Sequence, residues 1–132
     1  MIYLLDTDTC IFLLNKQNDF AEQKLRQLNR TDVGISTITF AELCYGAIHS
    51  KKKESNQKRI EIFCSSLTLC TFDQKSAILF GNIKEHLIRS GEMIGIMDLL
   101  IASVALSKKA TLVTHNLSEF KRVPQLQLED WF

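Results

Sequence analysis

The feature that most constrains this chain is the alternation of short apolar runs with segments of helical period. Ile2 to Leu5, Val33-Gly34-Ile35, Thr68 to Phe72 and Thr111 to Thr114 are brief apolar or strand-favouring runs, and turn or polar residues bound them. Such runs read as strands buried in a sheet. Between them the apolar residues recur at helical spacing. Asp6-Thr7-Asp8-Thr9 leads into a helix through Cys10 to Leu14, and Phe20, Ala21, Leu25 and Leu28 mark a second helix. Phe40, Leu43, Cys44 and Ala47 share one face of a third, over Thr39 to His49. Lys51 to Glu54 opens a fourth helix carrying Ile60, Ile62, Phe63 and Leu67, expected to fold back on the third as an antiparallel hairpin. Gln74 to Arg89 is amphipathic and closes at Ser90-Gly91, a C-terminal stop. Asp98 starts the most apolar helix, Leu99 to Leu106; His115 to Lys121 is a turn with a short helix, and Leu126 to Leu128 an edge strand. Strand–helix alternation of this kind predicts an α/β fold, an α/β/α sandwich around a mostly parallel central sheet of four to five strands. With 132 residues the chain is expected to form one domain, residues 1–132.

Composition excludes several classes of function. No apolar run approaches the length of a membrane span, and Met1 to Leu5 reaches Asp6 without the basic start and cleavage site of a signal peptide, so no membrane partner and a cytoplasmic location are expected. Net charge is only +1, which argues against holding nucleic acid by bulk electrostatics. Cys10, Cys44, Cys64 and Cys70 form no Cys-x-x-Cys pair and read as reduced packing residues rather than a zinc or disulfide framework.

In a parallel sheet, ligands bind beyond the carboxyl ends of the strands. Four acids fall there: Asp6 after the first strand, Glu42 in the helix after the second, Asp98 at the head of the apolar helix, and Glu119 after the fourth strand. Each alone has a capping explanation, because Thr39-x-x-Glu42 and Asn116-x-x-Glu119 resemble capping boxes and Asp6, Asp8 and Asp98 suit N-cap positions. Together they conflict. A like-charged pair at ~4 Å and an effective dielectric of ~20 costs about 4 kcal/mol, and a divalent cation removes that cost. A ligand set made only of hard oxygens favours magnesium or manganese.

Four segments carry these acids in order: Asp6-Thr7-Asp8, Ser36 to Leu43, Gly95 to Ala102, and Leu112 to Phe120. In order and spacing they resemble the PIN domain of VapC toxins, and the likeness runs to Leu128-Glu129-Asp130-Trp131. Two positions depart from the pattern: Asp8 stands where many relatives carry asparagine, and Asn116 where an aspartate is frequent. The resemblance implies a PIN-like fold and a Mg2+- or Mn2+-dependent endoribonuclease, with Asp6, Glu42, Asp98 and Glu119 as catalytic residues and metal ligands. It implies hydrolysis by a metal-activated water, leaving a 5′-phosphate and a 3′-hydroxyl. Asn116 would add a neutral ligand or hydrogen bond. Thr7, Ser36 and Thr114 have hydroxyls that either orient the acids or bond to nearby backbone.

The resemblance also implies partners: a cognate VapB-type antitoxin that covers the acidic pocket, an RNA substrate, a homodimer and a higher toxin–antitoxin assembly. Phe12, Leu13, Leu43, Tyr45 and Ile48 would line the antitoxin groove or belong to the core. Lys51, Lys52, Lys53, Lys58, Arg59, Lys108, Lys109, Lys121 and Arg122 are either solvated faces or phosphate contacts. His49, His86 and His115 are isolated from one another, and His115 is assigned a surface or packing role. The rival readings are a non-catalytic PIN-like binding module, a DNA-directed nuclease, and a receiver-like phosphoacceptor domain. The last needs a lysine after a late strand, where this chain has His115-Asn116.

Overall fold

The computed structural model describes residues 1–132. Its sheet has five strands: β1 (Tyr3–Leu5), β2 (Val33–Ser36), β3 (Thr68–Cys70), β4 (Thr111–Val113) and β5 (Leu128–Glu129). They are ordered β3-β2-β1-β4-β5, and every pairing is parallel. The helices are α1 (Thr7–Leu14), α2 (Asp19–Arg26), α3 (Thr37–His49), α4 (Lys53–Ser65), α5 (Gln74–Arg89), α6 (Ile96–Ser107) and α7 (Leu117–Phe120). None is long and apolar enough to cross a membrane.

Two apolar layers follow from the period-2 alternation of the strands. Leu4 and Leu112 face one side, packing with Ile83 and Leu87 of α5 and with Leu99, Ile101 and Val104 of α6. Leu5, Val33, Ile35 and Val113 face the other, where Cys10 and Leu13 of α1, Ala21 of α2, Leu43 of α3 and Ile60 of α4 cover them. The central strands, covered on both faces, therefore read as unbroken apolar runs. α5 packs on α6, and α3 and α4 form the hairpin expected from the sequence.

Several boundaries differ from the expectation, because side chains fix them. Ser36 accepts from the Thr39 amide at 3.0 Å, so α3 starts at Thr37 and Thr39 is not its cap. Gly95 occupies the N-cap of α6, which places Asp98 inside the first turn rather than before it. The last strand is Leu128–Glu129 instead of Leu126 to Leu128, since only these residues pair with Leu112 and Val113. Gly91, at φ +69°, ends α5 in the left-handed conformation that glycine adopts without strain.

Gly34 lets β2 and β3 approach. A Cβ there would lie 2.5 Å from Met1 Sδ and 2.8 Å from the Thr68 carbonyl oxygen. Methionine can move; the neighbouring strand cannot without breaking its ladder. Gly34→Ala is expected to destabilise the fold by about 2 kcal/mol, as overpacking does. The check is a lower urea midpoint with an unchanged slope.

Candidate active site

The order β3-β2-β1-β4-β5 reverses direction between β1 and β4, and the carboxyl ends of these two strands open the crevice in which such sheets bind ligands. Asp6 stands at that point. Its backbone N–H donates to the Val113 carbonyl at 3.0 Å, continuing the ladder, while its Oδ1 accepts from the Thr9 amide at 2.8 Å and caps α1. The Thr9 hydroxyl donates to the same Val113 carbonyl, tying α1 to β4. Asp6 is 4% exposed, and burial raises its pKa even though hydrogen bonds from Thr114 and Thr9 lower it; the charge of Asp8 adds to the rise.

Glu42 lies on α3 beyond its first turn, so it is not a capping residue. It is held from α1, because the Thr7 hydroxyl donates to its Oε1 at 2.6 Å. With that proton committed, the Thr7 oxygen accepts from the Thr39 hydroxyl 3.1 Å away. Of the two roles expected for Ser36, the structure shows the backbone one: its hydroxyl accepts from the Thr39 amide and caps α3.

Asp98 and Glu119 meet around Gly95. A Cβ on Gly95 would lie 3.7 Å from Asp98 Oδ2 and 3.8 Å from Glu119 Oε1, within ordinary contact. The Gly95 amide donates to Glu119 Oε1 at 2.9 Å, and Asn116 Nδ2 donates to Glu119 Oε2 at 2.6 Å. These donors hold the Glu119 carboxyl below its usual pKa, the Gly95 amide most strongly. Asp98 goes the opposite way. Burial pushes it up to about 6, helped by the charges of Glu119, Asp6, Glu42 and Asp8.

Asp98 thus feels all three of the other sequence-selected acids, contributed by β1, α3 and the segment after β4, together with Asp8. Metal ions fit this set on its donor chemistry: carboxylate oxygens without a histidine or thiol, an anionic crowd with only Arg122 acting on it at Glu119, and hydrogen bonds that aim individual oxygens. No three acid, histidine or cysteine side chains close on one point as a preformed cage. Such an open arrangement suits magnesium or manganese, which retain several waters and take few protein ligands.

Three positioning residues escaped sequence reading: Thr9, Thr39 and Gly95. The available signal was local, a threonine three residues after Asp6 and a glycine three before Asp98. His115 is exposed, 3.0 Å from Asp130 and edge-on to Phe12 and Phe132; its hydrogen bonds go to Asp130 rather than to the acidic group. The expected groove residues divide, Leu13 and Leu43 being buried core while Tyr45 and Ile48 are exposed. Two clefts flank α3. One of 240 Å³ reaches Glu42 and is lined by Ile11, Leu14, Arg59 and Ile60; one of 450 Å³ lies against α4, lined by Phe40, Cys44, Ile48 and Cys64. All four cysteines are free, and burial raises the Cys10 and Cys64 thiols, the latter to about 11.

Comparison with known proteins identifies the family. The PIN domain profile matches residues 3–126. Ribonuclease VapC2 of Rickettsia felis is 46% identical over 132 residues, covering 99% of this chain and 98% of the relative. The tRNA(fMet)-specific endonuclease VapC of Salmonella typhimurium is 39% identical over 129 residues, covering 98% and 97%. Among solved structures, VapBC2 from Rickettsia felis bound to a DNA fragment from its promoter superposes with a TM-score of 0.93 at 44% identity, over 100% of both chains. DNA-bound VapBC from Salmonella typhimurium gives 0.95 at 37% identity, over 100% of this chain and 99% of that one. The chain belongs to the VapC branch of the PIN-domain family.

Proposed function

We propose that residues 1–132 act as a single PIN domain, the endoribonuclease toxin of a toxin–antitoxin pair working in the cytoplasm. The observation that carries the catalytic part is the convergence of Asp6, Glu42 and Glu119 on Asp98, whose carboxyl burial, and then their charge, lift to about 6. Asp6, Glu42, Asp98 and Glu119 would hold magnesium or manganese, which when bound supplies Lewis acidity and makes water a nucleophile at neutral pH. The rest is positioning by the chain itself. Thr7 aims Glu42, the Gly95 amide and Asn116 aim Glu119, and the Thr9 amide fixes Asp6. These contacts leave the carboxylates of Asp6, Glu42 and Glu119 little freedom to reorganise as a phosphodiester enters, which favours the reaction.

The relatives support the RNA substrate and the partner. Two of them are named as a ribonuclease and a tRNA(fMet)-specific endonuclease, and the superposed structures are VapBC complexes. A VapB-type antitoxin would seat apolar side chains in the clefts beside α3 and bring a basic group to the acidic edge, where an excess of carboxylate attracts it. A homodimer, assembled further with antitoxin, completes this reading.

The test is incubation of the purified chain with RNA and with DNA of equal length, in magnesium, in manganese and in chelator. Cleavage of RNA in either metal, abolished by chelator, is the expected result. Cleavage that survives chelation, or that prefers DNA, overturns it.

A further inference from the structure

The stripe of α3 that carries Glu42 continues beyond the acidic edge. Residues three, four and seven apart share one side of a helix. Glu42, Tyr45 and His49 are so spaced, and they lie away from the buried stripe of Thr39, Leu43 and Ala47. Tyr45 is 66% exposed, and His49 is also exposed. Their rings nonetheless stack nearly parallel, with centroids 5.5 Å apart and an interplanar angle of 11°. The aromatic contacts at the C-terminal corner, Tyr3 with Trp131 and Phe12 with Phe132, are edge-on. Just beyond His49 come Lys51, Lys52 and Lys53, all exposed and none used in an ion pair of the chain. From Glu42 to His49 the helix rises by about 10 Å, roughly three stacked nucleotides.

We infer that the exposed Tyr45–His49 stack and the Lys51-Lys52-Lys53 cluster form a track that receives an unpaired stretch of RNA leading away from the acidic edge. This rests on the ribonuclease reading and adds to it the residues that would hold the strand away from the acidic edge, through bases free to leave a helix, as in loops and single-stranded segments. An exposed ring face offers every base a stacking surface, whereas duplex RNA keeps its bases inside its own stack. The lysines supply the phosphate contacts that the acidic centre repels, and they sit at the end of α3 remote from that centre. Charge complementarity selects RNA over an apolar partner here, because the lysines offer three cations and neither apolar cleft beside α3 is lined by Tyr45, His49 or Lys51 to Lys53, although the smaller one adjoins the stripe at Glu42 and Gly46.

The experiment measures binding of the full chain, in chelator, to a fluorescent unstructured RNA and to the same RNA annealed to its complement. Tyr45→Ala is expected to weaken single-strand binding about 5- to 100-fold, the range one stacked base supplies. Tyr45→Phe should stay within about twofold of the parent, and duplex binding should not change. In Tyr45→Trp, the new exposed indole should lose emission on adding single-stranded RNA, against the constant signal of buried Trp131. Tyr45→Ala that binds single strands like the parent, or that weakens single strand and duplex equally, overturns the track. So does a variant whose only defect is in dimerisation or antitoxin binding. If the parent cuts RNA and Tyr45→Ala is indistinguishable from it, the track alone falls. If Tyr45-dependent binding is seen but no metal supports cleavage, the ribonuclease reading falls and the track stands. A parent chain that neither binds nor cuts RNA sinks both.

Discussion

Asp98→Asn is expected to lose RNA cleavage by about 1000-fold or more while making the metal-free protein more stable at neutral pH. The loss follows from removing one of the charges that would hold the metal, whose stabilisation of a phosphoryl transition state is worth about 4 kcal/mol or more. The gain follows from the shift in Asp98. In an unfolded chain such a carboxyl titrates near ~4, whereas in the fold burial and the neighbouring acids lift it to about 6. Between those values the folded state binds the proton more tightly than the unfolded one. Stability contributed by Asp98 is therefore greatest below pH ~4, is lost as pH rises towards about 6, and stays lost above it. A shift of this size corresponds to about 3 kcal/mol, and because Asp98 is half-exposed, screening reduces it to about 1–2 kcal/mol. Thermal melts in chelator at pH 4.5 and pH 7.5 test this. The variant should match the parent at the lower pH and exceed it at the higher, and magnesium should close the gap by stabilising only the parent. A variant that is less stable than the parent at pH 7.5 would show that the acids do not repel each other in the fold. The opposite signs of the two effects separate a functional carboxylate from a structural one, because a structural acid would lower both activity and stability when removed.

Trp131→Ala should be the most damaging single change to the fold, at about 3–5 kcal/mol, a large part of the stability of a domain this size. Trp131 is 1% exposed, edge-on to Tyr3 at 5.7 Å, and its indole N–H donates to Glu129 at 3.1 Å. It closes the layer that also contains Leu5, Val33, Ile35 and Val113. β5 is only two residues long, and the Thr114 amide, next to the acidic edge, donates to the Glu129 carbonyl at 3.0 Å. Losing the indole thus loosens the strand that backs Thr114 and, through the adjoining Val113 carbonyl, Asp6. Urea unfolding followed by circular dichroism gives the measurement, since the chain's one tryptophan is removed. Trp131→Phe should recover most of the loss, because it keeps an aromatic edge against Tyr3. An alanine variant within about 1 kcal/mol of the parent would mean that the C-terminal residues do not anchor the sheet.

Much of this molecule could be read from its residues. The strand runs at Ile2 to Leu5 and Thr111 to Thr114 contain β1 and β4, and the helix Gln74 to Arg89 with its glycine stop lies where the sequence pattern puts it. Helix starts were less legible, because Ser36 and Gly95 compete with neighbouring threonine and aspartate for the cap, and only the hydrogen bond made in the fold decides between them. Asp6, Glu42 and Glu119 were legible through their position after strands and Asp98 through its place at the head of the apolar helix, but not which donor steadies which.

The sequence by itself determined that strands and helices alternate, that the sheet is buried on both faces, and which carboxylates are candidates for its carboxyl edge, since periodicity and residue type are local properties. Tertiary structure alone decided that Thr7 reaches Glu42 across 35 positions, that the Gly95 amide meets Glu119 across 24, and that Asp98 stands amid the other acids. The reason is physical. A hydrogen bond or a Coulomb interaction depends on distance in space, and for residues so far apart along the chain that distance is set by how α1, α3 and α6 pack around β1 and β4.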